Sequence, residues 1–382
     1  MNFSFSDEQR MLCDSVSRFV KQQYSFDQRE VARQKEAGFD DKNWALFAEL
    51  GWLMVPFSEK AGGLSGKAAD VMIVMEELGK GLVVEPYFAN TLLAGKLISE
   101  LSNNSNSNAM LENMMAGEYQ FSLAYCEPQS RYDLANVNTQ AEVFDNEFVL
   151  NGHKSVVLNA AMADMLVVIA RTSSFQTDKN GLSAILVDPQ SPGVDIRCYP
   201  TVDGFQAADI YFSNVTVAKS NLLGNLDDAF PALEKTVDFA TFGVCAEAIG
   251  MMEMLYKKTV EYTKGRQQFG KPLASFQALQ HRMADMFIEY EQAKSAVLMA
   301  AMELDSTQGF APKEVSAAKS RVGKAARLIG QEAVQLHGGM GVTDELDIGH
   351  YFKRLTAIQF VLGSTDFHTQ RYASLCRNSI NH

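Results

Sequence analysis

Arg266-Gln267-Gln268-Phe269-Gly270-Lys271-Pro272-Leu273, read with Gln335-Leu336-His337-Gly338-Gly339-Met340-Gly341, decides how this chain is understood. Both stretches lie in the C-terminal third, where long helical patterns dominate. The first sets a fixed cation, an amide and an aromatic just past a helix end. The second sets Gln, His and a glycine pair at another. The planar fork of arginine presents paired donors to a pyrophosphate, and paired glycines let a ligand reach the backbone with no Cβ in the way. Taken singly, Arg266 reads equally as a solvated charge and Gly338-Gly339 as a helix cap.

Working outward, helical periodicity covers 229–264, 273–305, 312–336, 345–360 and 366–378. Helices of that length suit a four-helix bundle with a major role in assembly. Upstream, from about 121 to 225, short β-branched runs such as Met165-Leu166-Val167-Val168-Ile169-Ala170 and Leu182-Ser183-Ala184-Ile185-Leu186-Val187 alternate with Gly, Asn, Asp and Pro. Such spacing predicts a small antiparallel barrel or sandwich. Before it, Ser6 or Asp7 caps a first helix, 41–50 forms a second, and 67–81 and 90–102 two more around Glu85-Pro86-Tyr87. The run 102–108 reads as a polar loop. The expected fold is α+β in the order α–β–α: a helical domain over 1–120, a β domain over 121–228 and a bundle over 229–382.

The 382 residues exceed what one core supports, so two or three domains are expected. A net charge of −12 without a long basic run argues against nucleic acid and anionic membrane as partners. Five scattered cysteines without C-x-x-C spacing indicate reduced thiols. No histidine or cysteine cluster has metal-ligand spacing, and no G-x-G-x-x-G follows a strand. The N-terminus lacks an apolar signal region and no unbroken apolar stretch spans a bilayer, so a cytoplasmic protein is expected.

The two opening motifs together resemble those of the acyl-CoA dehydrogenase family of flavoproteins, and the resemblance runs over essentially the whole chain. It implies FAD held between the β domain and the bundle, with a neighbouring subunit reaching the cofactor's adenosine-pyrophosphate end. Arg266, Gln268, Phe269, Gln335, Gly338 and Gly339 are implied at that end, and Thr365 is implied as a further FAD contact. The family's T-E-P-G-A-G-S-D loop is matched by Cys126-Glu127-Pro128-Gln129-Ser130-Arg131-Tyr132-Asp133, which lacks the glycines. There Cys126 and Arg131 are the cofactor candidates, Arg131 as a phosphate anchor. The strand beside the flavin is matched by Val156-Val157-Leu158-Asn159-Ala160-Ala161, aliphatic where the family has an aromatic and a hydroxyl.

Desaturating an acyl thioester requires a carboxylate for the α-proton. The family's usual position for it holds Leu362, and an alternative position falls at Ala240. Three nearby acids could serve instead, with Glu247 the first catalytic candidate, Asp238 the second, and Asp366 expected rather as a helix N-cap. Glu247, among Ala and Ile, is either a desolvated base or paired with an internal cation. Further segments, including Gly152-His153-Lys154-Ser155 and Gly363-Ser364-Thr365-Asp366-Phe367-His368, resemble the small subunit of heteromeric acyl-CoA dehydrogenases. Two readings follow: an acyl-CoA dehydrogenase that passes electrons to an electron-transferring flavoprotein, or a non-catalytic partner completing the FAD site of a larger homologous subunit in a heterotetramer.

Overall fold

A computed structural model describes residues 5–102 and 105–380. Asn103 and Asn104 of the expected polar loop lie outside these residues, and from Ser105 that stretch is helical, Ser105–Met115, because Leu111, Met114 and Met115 are buried. The chain forms two compact units. One comprises Met1–Val31, Lys67–Val83 and Thr241–His382, the other Ala32–Gly66 and Val84–Ala240.

The second unit is organised on a sheet whose strands are β1 Phe121–Ala124, β2 Gln140–Val143, β3 Glu147–Leu158, β4 Met165–Arg171, β5 Leu182–Val187, β6 Val194–Pro200, β7 Gln206–Ala218 and β8 Leu222–Leu223. They lie in the order β6-β7-β3-β2-β4-β5-β8, with β1 beside β4. Most pairs are antiparallel, but β1 and β2 both run parallel to β4, so the sheet is mixed. Phe148, Leu150, Leu166, Val168, Ile185, Ile210 and Phe212 fill its buried core. Lys154 on β3 is wholly buried and meets Glu127 at 2.6 Å. Glu127 also accepts from the backbone amides of Asn138 (2.7 Å) and Thr139 (3.0 Å). The expected helix at 90–102 begins earlier, as a π-helix over Tyr87–Gly95, where Asn90 Oδ1 accepts from the Phe121 amide at 2.8 Å and ties the turn to β1.

A bulge in β3 between Lys154 and Val157 places Val156 at φ +54°, with 56 % of its side chain exposed. A β-branched residue is strained in that region. Val156→Gly is therefore expected to raise the denaturant midpoint, by about 0.5–1 kcal/mol in stability. A lower midpoint would show that the side chain contributes more than its backbone costs.

In the first unit, Ser6 and Gln9 form a capping box at the start of Asp7–Gln23. That helix packs on Ala68–Lys80, which also packs on Gln277–Ser306. Pro312–His337 is central: it packs against Gln277–Ser306, Ile348–Ile358 and Thr365–Ile380. Its buried Val315, Ala318, Val322, Ala325, Ala326, Ile329 and Ala333 recur at helical spacing and are mostly small, which allows close approach from several sides. The helices Ala68–Lys80 and Phe230–Gly265 meet backbone to backbone. A Cβ on Gly79 would lie 2.2 Å from the Glu247 carbonyl oxygen, and one on Gly250 would lie 1.9 Å from that of Glu76.

Phe230–Gly265 is the one helix among the described residues long and apolar enough to cross a bilayer, yet 83 % of its most apolar window is buried in the protein.

Candidate functional site

The helix Phe230–Gly265 ends where the chain turns into a two-stranded hairpin, β9 Gln267–Gln268 and β10 Lys271–Pro272. Phe269 and Gly270 occupy its tip at φ +53° and +78°. Positive φ at both central residues is the type I′ pattern, which Gly accepts freely and Phe does not. The Phe269 ring is 90 % exposed and leans edge-on to Phe276, while Lys271 Nζ sits 4.2 Å over the Phe276 ring. The chain thus spends backbone strain to present an aromatic outward.

The second motif ends Pro312–His337. Gly338, at φ +62° and ψ −139°, terminates the helix in a conformation open essentially to glycine alone, and its amide donates to the Gln335 carbonyl. The capping use foreseen for it is real, but a cavity of about 560 Å³ lies against the same residues. Arg266, Gln268, Gln335, Gly338 and Gly339 all line it. A Cβ on either glycine would meet nothing within 4 Å, so the backbone there is open to a ligand. Tyr262 stacks on His337 at 4.3 Å, and His337 Nδ1 donates to the Ala333 carbonyl at 2.7 Å. Burial pushes the His337 pKa down, which keeps the ring neutral and leaves arginines as the cations of the cavity. Leu273, Leu279, Leu336 and Met340 add apolar wall. Fork, amides, open backbone and apolar wall together suit an anion joined to a flat apolar group.

Sequence reasoning missed Tyr262 and Arg282 as cavity residues. Tyr262 lies one helical turn before Arg266, a spacing that was available as a signal. Arg282 reaches the cavity from a separate helix, and no local pattern announces that.

Phe269 stands beside the cavity-lining residues in sequence but points into solvent. Thr365 begins the last helix, with its Oγ1 2.1 Å from where a Cβ on Gly323 would lie, so its hydroxyl packs against Pro312–His337. In the second unit, Cys126 and Arg131 share the loop after β1. Arg131 is exposed at φ +49° and makes no hydrogen bond or ion pair among the described residues. Burial raises the Cys126 thiol, which makes it a poor thiolate. Glu127 of the same loop is taken by Lys154.

Of the two settings open to Glu247, the structure shows the paired one. Arg354 donates from Nε to Oε1 and from Nη2 to Oε2, both at 2.8 Å, and both residues are buried. Asp238 is buried in the second unit. Asp366 sits in the first turn of Thr365–Ile380, and the cap is instead Ser364, whose Oγ accepts from the Phe367 amide at 3.2 Å. Leu362 is held at φ +59°. Its carbonyl accepts from His368 Nε2 at 3.0 Å, which leaves Nδ1 facing the Ser316 hydroxyl at 3.3 Å. Burial brings His368 down to about 3, so it anchors this turn as a neutral ring.

Three family models match the chain in order: the acyl-CoA dehydrogenase N-terminal domain over residues 6–118, the middle domain over 122–215 and the C-terminal domain over 229–374. A probable acyl-CoA dehydrogenase of Bacillus subtilis is 29 % identical over 371 residues, 96 % of this chain and 97 % of that protein. A subunit of the caffeyl-CoA reductase–Etf complex of Acetobacterium woodii is 28 % identical, across 91 % of this chain and 93 % of its own. The butyryl-CoA dehydrogenase of Megasphaera elsdenii superposes with a TM-score of 0.90 at 25 % identity, covering 98 % of this chain and 100 % of that one.

Proposed function

Because the chain belongs to the acyl-CoA dehydrogenase family, whose members are FAD-dependent, we propose that it works as an FAD-binding subunit of an enzyme that introduces or removes an α,β double bond in an acyl-CoA thioester. The observation that carries this reading is the cavity that gathers Arg266, Gln268, Gln335, Gly338 and Gly339. Its donors fit the pyrophosphate of FAD, and its apolar wall fits an adenine. When bound, FAD would supply the centre that accepts the hydride as the double bond forms, or donates it as the double bond is removed. The work of these residues is to fix the cofactor's nucleotide end, and the exposed Phe269 extends that contact toward a neighbouring subunit. Electron-transferring flavoprotein is the proposed redox partner, and the Etf complex of the Acetobacterium relative supports it.

The helix Gln277–Ser306 exposes Phe287, Ile288, Met299 and Met302, an apolar face that suits subunit assembly, as a homo-oligomer or with a larger homologue. A second reading is favoured by the acids: the family resemblance sets Leu362 at the usual base position, and Glu247 is paired with Arg354. In that reading the chain completes the FAD site of a homologous subunit, and that subunit supplies the base.

Arg266→Ala tests the shared part of both readings. It is expected to weaken FAD retention about ten- to hundredfold by removing a charge-assisted fork, read as bound flavin per subunit after dialysis. Full flavin occupancy would remove Arg266 from the site. Turnover by the isolated wild-type chain separates the two readings: activity supports the dehydrogenase, and inertness that is relieved by a homologous subunit supports the partner.

A further inference from the structure

Arg282 lines the same cavity as Arg266 but is held differently. It rises from Gln277–Ser306, and its Nε donates to Glu332 on Pro312–His337, three residues before Gln335. No other hydrogen bond or ion pair engages Arg282 among the described residues, so its two terminal amino groups are unspent. Both partners are partly exposed, with side chains 38 % and 26 % accessible. A carboxylate at Nε fixes the plane of a guanidinium while leaving its outer fork for a second acceptor. A nucleotide diphosphate carries more negative charge than Arg266 alone neutralises, and the imidazole that lines the cavity, His337, is held neutral.

We propose that Arg282 is a second anion-binding residue of this cavity: its terminal amino groups take the diphosphate of a nucleotide, and Glu332 both orients it and moderates the positive charge presented. The proposal rests on the reading of the cavity as a nucleotide site. Glu332 is then a tuning residue. It holds the arginine in place, and it also competes with the ligand for the same cation.

The test titrates ADP, inorganic pyrophosphate and adenosine by calorimetry into the full-length protein, first freed of copurified nucleotide by dialysis against potassium bromide. Arg282→Met is expected to weaken ADP and pyrophosphate about ten- to hundredfold and leave adenosine unchanged. Glu332→Gln keeps an acceptor for Nε but removes a negative charge, so ADP should bind severalfold tighter. A merely structural pair would give no such gain. Arg282→Lys keeps charge and ion pair without the fork and should fall between wild type and Arg282→Met. If Arg282→Met fails to fold, wild-type affinity in Arg282→Lys overturns the proposal. Unchanged ADP affinity in Arg282→Met beside a loss in Arg266→Ala overturns Arg282 alone. Unchanged affinity in both overturns the nucleotide reading of the cavity as well.

Discussion

Glu247→Gln is expected to lower the stability of the protein by about 3–5 kcal/mol, because it leaves the Arg354 guanidinium buried without its counter-charge. The arrangement is bidentate and both residues are nearly inaccessible, so water cannot replace the lost carboxylate. The measurement is the denaturant midpoint at unchanged slope. Arg354→Met should cost a similar amount for the mirrored reason. The pair Glu247→Leu with Arg354→Met should recover much of the loss, since an apolar replacement of similar volume removes both desolvation costs. A Glu247→Gln protein with wild-type midpoint but turnover reduced 10²–10⁴-fold would instead mark Glu247 as a general base.

Lys154→Met is the second large effect, again about 3–5 kcal/mol at neutral pH, because Glu127 would remain buried beside an apolar chain. This pair also sets an acid limb. Burial alone would raise the Glu127 carboxyl, but Lys154 and the surrounding donors outweigh it and bring it from 4.5 down to about 2. With the folded value below the unfolded one, the unfolded chain binds more protons in that window. The contribution of Glu127 is therefore complete above pH 4.5 and lost as pH falls toward 2. Glu127→Gln should be less stable at pH 7 and show a shallower decline between pH 4.5 and 2. An acid limb of unchanged steepness would mean that other carboxylates govern it.

The helices were legible because their signals are local. Ser6 or Asp7 announced a cap, which the structure places at Ser6, and the helical periodicity of 312–336 announced a long helix, found as Pro312–His337. The two cavity-lining motifs were legible for the same reason: Arg266 with Gln268, and Gln335 with Gly338-Gly339, each lie within one turn of chain. What failed to show depended on distance in sequence. Arg354 lies 107 residues from Glu247, so the sequence could state only that a cation was one of two solutions. Glu127 sat inside a loop read for cofactor contact, and Lys154, 27 residues on, claims it. The parallel pairing of β1 and β2 with β4 was also hidden, since alternation within a strand does not say which neighbour it takes. The π-helix at Tyr87–Gly95 was missed because its residues are buried all round and leave no amphipathic rhythm to follow.

The crossing at Gly79 and Gly250 has a consequence for how this sequence can drift. Every missense change of a glycine codon adds at least a Cβ, and at these two positions that atom would fall 2.2 and 1.9 Å from a carbonyl oxygen of the opposite helix. Neither helix can yield alone. Ala68–Lys80 also packs on Gln277–Ser306, and the facing carbonyls belong to Glu76 and to Glu247, whose side chain is fixed by Arg354. In a saturation library selected for soluble expression, both codons should accept silent changes only. Gly265 and Gly339, where a Cβ would meet nothing within 4 Å and φ is not positive, should fill with substitutions under the same selection. The contrast would separate glycines that this lineage cannot replace from those it merely has.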